Sequence, residues 1–170
     1  MNEQYTPVIM DFPLRGEWFS PNTPGARIPS HGTNRFGTRY AYDFLQVDWK
    51  RRGHPSYQTH WLNYLLFGVP LQKCYCWGEN IYAPCDGTVV DAKDNHRERS
   101  RAHLISDMFV AVRSSHFYNP RKDDIQSIAG NHIIIKCNEH VYAAFAHLQC
   151  GSIKVIAGQK VKRGDVLGKI

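Results

Sequence analysis

Of the nine histidines in this 170-residue sequence, two stand where their surroundings suggest chemistry, and one aspartate stands with them. His31 opens a glycine-rich turn, His31-Gly32-Thr33-Asn34-Arg35-Phe36-Gly37, and Asp43 lies within Tyr40-Ala41-Tyr42-Asp43-Phe44. A carboxylate set between aromatic residues on a short strand is costly to bury unless it is paired or holds a metal. Imidazole plus carboxylate is a normal part of a zinc shell, and a hydrolytic zinc takes three protein ligands and keeps one open position. Taken alone, each residue has a simpler use: His31 and Asp43 as turn or capping residues, and His147, in Ala144-Phe145-Ala146-His147-Leu148, as a hydrogen-bonded core histidine. Cysteine offers less. Five is an odd count, and Cys74 and Cys76 are one residue apart rather than the two of a zinc knuckle or redox dithiol. Buried free thiols are the default expectation.

The elements that must position these residues fall into two textures. Residues 1–80 are punctuated by Pro7, Pro13, Pro21, Pro24, Pro29, Pro55 and Pro70, which favours loops and short strands. Within them, residues 58–67 carry Trp61, Leu62, Leu65 and Leu66 at helical spacing and predict a short helix or a folded insert. From residue 81 the pattern is β. Ile81-Tyr82-Ala83-Pro84 leads through Asp86-Gly87 into Thr88-Val89-Val90, a turn feeding a β-branched strand. Met108 to Val112 is a further apolar run. His132 to Lys136 and Val141 to His147 read as strands joined by an Asn138-Glu139-His140 hairpin turn. Ile153-Lys154-Val155 reads as a further strand and precedes the glycine-turn segment Gly158 to Gly168, so that residues 81–90, 131–147 and 153–168 are expected to form the core strands. Alternation points Ile133, Ile135, Val141, Phe145 and Leu167 inward. The charged stretch 91–130 reads as a long surface loop. The expected fold is mainly β, a compact antiparallel sandwich or half-barrel with little helix. An irregular segment, 1–28, precedes one domain, 29–170.

Composition narrows the function classes. At 42% hydrophobic and 12% aromatic residues the chain can build a core, which excludes intrinsic disorder. The longest apolar run, Trp61 to Leu71, is broken by Asn63, Gly68 and Pro70, so no membrane span is expected. Met-Asn-Glu-Gln-Tyr-Thr-Pro at the start has neither the basic residues nor the apolar run of a signal peptide. The net charge of +6 suits contact with an anionic polymer, but the basic residues are dispersed. Their densest runs, Lys50-Arg51-Arg52 and His96 to Arg101, read as solvated loops, and no nucleic-acid groove is expected.

The order of the pieces says more than any one of them. His31, then Tyr42-Asp43-Phe44, Ile81-Tyr-Ala-Pro-Cys-Asp-Gly-Thr-Val-Val, Gly130-Asn131-His132-Ile-Ile-Ile, Tyr142-Ala-Ala-Phe-Ala-His147-Leu-Gln, and Gly158-Gln-Lys-Val-Lys-Arg-Gly164-Asp-Val-Leu-Gly168 together resemble the lysostaphin/LytM-type zinc metallopeptidases. These are endopeptidases that cut peptidoglycan cross-links, generally outside the cytoplasm. The likeness spans roughly residues 29–170. It implies a groove across one antiparallel sheet, a peptidoglycan peptide as substrate, and one zinc ion. It also implies His31 and Asp43 as the first two zinc ligands and His147 as the catalytic histidine. Eleven residues separate His31 from Asp43, a wider spacing than in the best-known members.

One part of the family pattern is not met. There a Gly/Ser-rich turn and a His-x-His segment follow the last glycine-rich strand. They supply the third zinc ligand and a second catalytic imidazole. The 170 residues contain no His-x-His and stop at Lys169-Ile170. The expectation is a weak, substoichiometric zinc site, negligible peptidase activity in this chain, and an unpaired edge strand inviting homodimerisation. A non-catalytic binding or regulatory module on the same scaffold is the alternative. The glycine-turn segment also occurs in lipoyl and biotin carriers, which need a lysine at a hairpin tip (Lys93 is the candidate). It recurs in a sugar-transport phosphocarrier domain, which needs two facing histidines.

Overall fold

In a computed structural model, residues 8–34, 37–103 and 125–170 are described. The chain forms strands β1 (Val69–Pro70), β2 (Asn80–Tyr82), β3 (Gly87–Lys93), β4 (Arg101–Ala102), β5 (Asn131–Lys136), β6 (Tyr142–Leu148), β7 (Lys160–Val161) and β8 (Val166–Lys169). Among the described residues, the one helix longer than a turn is α1, Trp61–Phe67. The main sheet runs β6-β5-β3-β7, and two ribbons, β2-β8 and β1-β4, stand beside it. Every pairing is antiparallel. The fold is mainly β, as the sequence predicts, and no strand lies beyond β6 in its sheet among the described residues.

The core explains this order. Ile133 and Ile135 on β5, Val89 on β3 and Leu167 on β8 are fully buried and share one cluster with Ile81, Ala83, Leu148, Val155 and Val161. β5 lies between β3 and β6, and its β-branched residues fill the space under both neighbours. Of the five residues expected inward, Ile133, Ile135 and Leu167 are buried; Phe145 packs on the cluster at half-burial, and Val141 is half-buried just ahead of β6. The turn between β5 and β6 forms where expected. Asn138 Oδ1 accepts from the amides of His140 (2.9 Å) and Val141 (2.7 Å), an Asx arrangement that replaces a backbone turn.

Three expectations need correction. Ile153-Lys154-Val155 is no strand, because its amides are claimed elsewhere. The Asp94 carboxylate accepts from Gly151 N (2.8 Å) and Ile153 N (3.1 Å), and Lys154 N donates to Leu167 O. Residues 91–130 are not one loop, since β3 continues to Lys93, β4 pairs with β1, and Gln126–Ala129 is a helical turn. Lys93 therefore faces His132 in the ladder rather than capping a hairpin, which removes the carrier-lysine reading. Met108 to Val112 lies outside the described residues. Two of the five thiols are not free either: Cys85, after β2, and Cys137, after β5, form a disulfide, and Cys74, Cys76 and Cys150 remain reduced.

The packing sets a stability test. Ile135→Ala should destabilise the domain by about 2–5 kcal/mol, the usual cost of truncating a buried aliphatic residue. Ile156→Ala, at a position 72% exposed, should change stability by less than about 0.5 kcal/mol. Urea midpoints of the two variants check the assignment of inside and outside.

Candidate active site

Asp43 does not sit on a strand. Residues 41–44 are extended but unpaired, and the segment is fastened by a single bridge between Phe19 and Leu45. Extended backbone still alternates. The rings of Tyr42 and Phe44 stack 5.8 Å apart, within 6° of parallel, so the carboxylate between them projects the other way. Asn22 holds this residue twice: its carbonyl accepts from Asp43 N (3.1 Å) and its side-chain amide donates to Asp43 Oδ2 (2.6 Å). Asp43 Oδ1 meets His31 Nε2 at 3.1 Å, on side chains 43% and 27% exposed. Ser30, beside His31, is fully buried; its Oγ lies 3.0 Å from His31 Nδ1 and donates to Thr38 O at 2.9 Å. The structure thus brings together two residues that the sequence separates by eleven others. Asn22 and Ser30, the groups that hold them, carried no signal in the sequence: an asparagine and a serine in a proline-rich stretch read as turn residues.

His147 comes from the sheet. Asn131 pairs with Leu148 and Ile133 with Phe145, so Ala146 and His147 on β6 together oppose the single residue His132. This is a β-bulge, a device that bends a strand and re-aims a side chain. His147 is the residue that absorbs it, with φ at +60°, in the left-handed region that costs a side-chain-bearing residue roughly 1–2 kcal/mol. The residue keeps solvent exposure, yet its imidazole is crowded enough that desolvation holds its pKa below the ordinary 6.5. The Arg99 guanidinium pushes the same way, and the Asp43 carboxylate pulls it back up. The lowered pKa favours the neutral imidazole, and His147 lies within the field of the carboxylate that touches His31.

His132 plays another part. It is buried, with Nδ1 2.8 Å from the Gly130 carbonyl and Nε2 3.1 Å from Asp91 Oδ2. Both ring nitrogens are engaged, so this imidazole offers no free lone pair to a ligand.

The donors at the site can be compared with what zinc takes. A nitrogen and a carboxylate oxygen within 3.1 Å are the right donor types for two protein ligands. Among the described residues no third His, Cys, Asp or Glu joins them to make a group of three. His31 and Asp43 therefore fit two places of a zinc shell and do not close it.

The strained bulge and the crowded imidazole each predict a measurement. Relative to His147→Ala, His147→Gly should be more stable by about 1 kcal/mol, the reverse of the usual order in a strand, because only glycine is unstrained at this φ. Urea denaturation of the pair reads that sign. By NMR the His147 ring should titrate below 6.5. Arg99→Gln should move the midpoint up, and Asp43→Asn should move it further down.

No curated protein and no solved structure matches this chain. The sequence profile of peptidase family M23 matches residues 74–170, more than half of the chain. The matched stretch holds the main sheet, the β2-β8 ribbon and His147, while His31 and Asp43 precede it. The lysostaphin/LytM-type endopeptidases that the motif order resembles are of this family, and the chain belongs to peptidase family M23.

Proposed function

We propose that this protein carries the site of a zinc-dependent endopeptidase acting on peptidoglycan peptides, with His31 and Asp43 as two zinc ligands and His147 as the proton-transferring residue. The observation that carries the reading is the 3.1 Å contact of His31 Nε2 with Asp43 Oδ1, whose carboxylate also acts on His147, an imidazole with its pKa lowered by desolvation. When bound, zinc lowers the pKa of a water molecule to about 7 and polarises the scissile carbonyl. Asn22 fixes the carboxylate so that Oδ2 is occupied and Oδ1 is presented toward His31. The imidazole of His147, neutral at pH 7, accepts a proton and returns it to the departing amine. The bulge at Ala146 and His147 fixes the backbone from which that imidazole projects.

A second reading also has an observation behind it. Two donors without a third among the described residues suit a module that binds peptidoglycan without cutting it. Zinc content and turnover separate the two. With a two-donor site the 170-residue chain should purify with well under one zinc per chain and show negligible turnover, because an incomplete shell releases its metal readily. A chain carrying a His-x-His segment after Ile170 should hold about one zinc and cleave peptidoglycan peptides. In that chain His147→Ala should abolish cleavage and keep the metal, whereas His31→Ala and Asp43→Ala should lose both. Full zinc occupancy in His31→Ala would refute the ligand assignment, and a zinc-loaded, folded chain that binds peptidoglycan without cutting it would establish the binding module.

A further inference from the structure

We infer that Ser30 is a positioning residue that fixes His31 as the tautomer protonated on Nδ1, so that Nε2 is presented toward Asp43 as a lone-pair donor. The inference rests on the reading of His31 and Asp43 as metal ligands and adds the group that orients them.

The argument is one of counting protons. A serine hydroxyl has one proton to give and lone pairs to receive. The Thr38 carbonyl can only accept, so at 2.9 Å it takes the Ser30 proton. Ser30 Oγ is also 3.0 Å from His31 Nδ1. Both bonds exist together in one way only, with Nδ1–H donating to the serine oxygen. Ser30 is 0% exposed, so water does not substitute for either partner. The backbone holds the hydroxyl in place: Ser30 N donates to Arg39 O (3.0 Å), and Arg27 Nε donates to Ser30 O (3.0 Å). With its proton on Nδ1, a neutral imidazole turns the Nε2 lone pair toward Asp43 Oδ1, 3.1 Å away. Two acceptors at that distance repel each other unless a metal cation, or a second proton on Nε2, lies between them, and zinc found on Nε2 tells the two apart. A hydrogen bond from the far nitrogen of a ligating imidazole is the usual device for setting its tautomer and angle, and the carboxylate is held in the same way by Asn22.

The test uses the 170-residue protein with ¹⁵N-labelled histidine, titrated with zinc, as wild type, Ser30→Ala and His31→Ala. Ser30→Ala is expected to weaken zinc binding roughly 10- to 100-fold with its circular dichroism spectrum unchanged. At zinc concentrations that saturate the wild type, the His31 ring should carry zinc on Nε2 and show a slowly exchanging Nδ1–H resonance, which the variant loses. A purely structural role for Ser30 would move neither the ring resonance nor the zinc affinity. If Ser30→Ala binds zinc as tightly as wild type while His31→Ala does not bind, the role of Ser30 is overturned and the ligand pair stands. If wild type takes up no zinc at millimolar concentration, or His31→Ala binds as wild type does, the ligand reading falls and Ser30 falls with it. A zinc-loaded wild type with metal on Nδ1, or with Nδ1–H in fast exchange, overturns the inference without any variant.

Discussion

The pairing of β5 with β3 on one side and β6 on the other is the constraint on which the rest of the molecule depends. Ile133 and Ile135 are fully buried under it, and the register it imposes leaves Ala146 and His147 to share one partner position. A strained φ persists only where surrounding structure over-determines it. Here the over-determination comes from Leu148, buried at the end of β6, and from Asn131 opposite it, whose side-chain amide donates to the carbonyls of Leu148 (3.1 Å) and His96 (2.9 Å). The core thus fixes the backbone on both sides of His147.

The other half of the site is held without regular structure. Between Phe19 and Leu45 the described chain has a single bridge and one 3₁₀ turn, Thr38–Tyr40. Side chains supply what a ladder would: Asn22 clamps Asp43 by backbone and amide together, and Ser30 ties His31 to Thr38. Polar networks of this kind are worth most when every member is satisfied. That is why removal of a single hydroxyl should be read at the neighbouring imidazole rather than in the stability of the whole domain.

This division also accounts for what the sequence could reveal. The strands of β3, β5 and β6 are legible because β-branched residues alternate between defined turns, and the Asn138 turn is legible because its chemistry is local. Asp43 stands out by its aromatic neighbours, but the chain that carries it is unpaired and not a strand. Alternation persists in unpaired extended chain, so apolar–polar pattern alone does not distinguish the two. Ile153-Lys154-Val155 reads as a strand for a related reason: its first amide donates to Asp94, and no local rule shows that a carboxylate some sixty residues earlier will take it. The bulge at His147 leaves no trace in composition, since its usual marker is glycine and here a histidine bears the strain. Ser30 and Asn22 are invisible for the opposite reason, being common residues in a common setting.

The residues matched by the family profile and the residues proposed to hold metal belong to these two different kinds of structure. Core strands tolerate little change in volume, so a pattern of buried aliphatic residues and glycine turns stays recognisable, and His147 is carried within it. A ligand held by side-chain hydrogen bonds on irregular chain can sit at variable spacing, provided its clamp travels with it. The eleven residues between His31 and Asp43 are bridged in that way, with Ser30 N on Arg39 O and the Thr38–Tyr40 turn drawing the two ends together. What the proposed ligand pair requires is the 3.1 Å contact between Nε2 and Oδ1, and loop length is free to vary so long as that distance is kept.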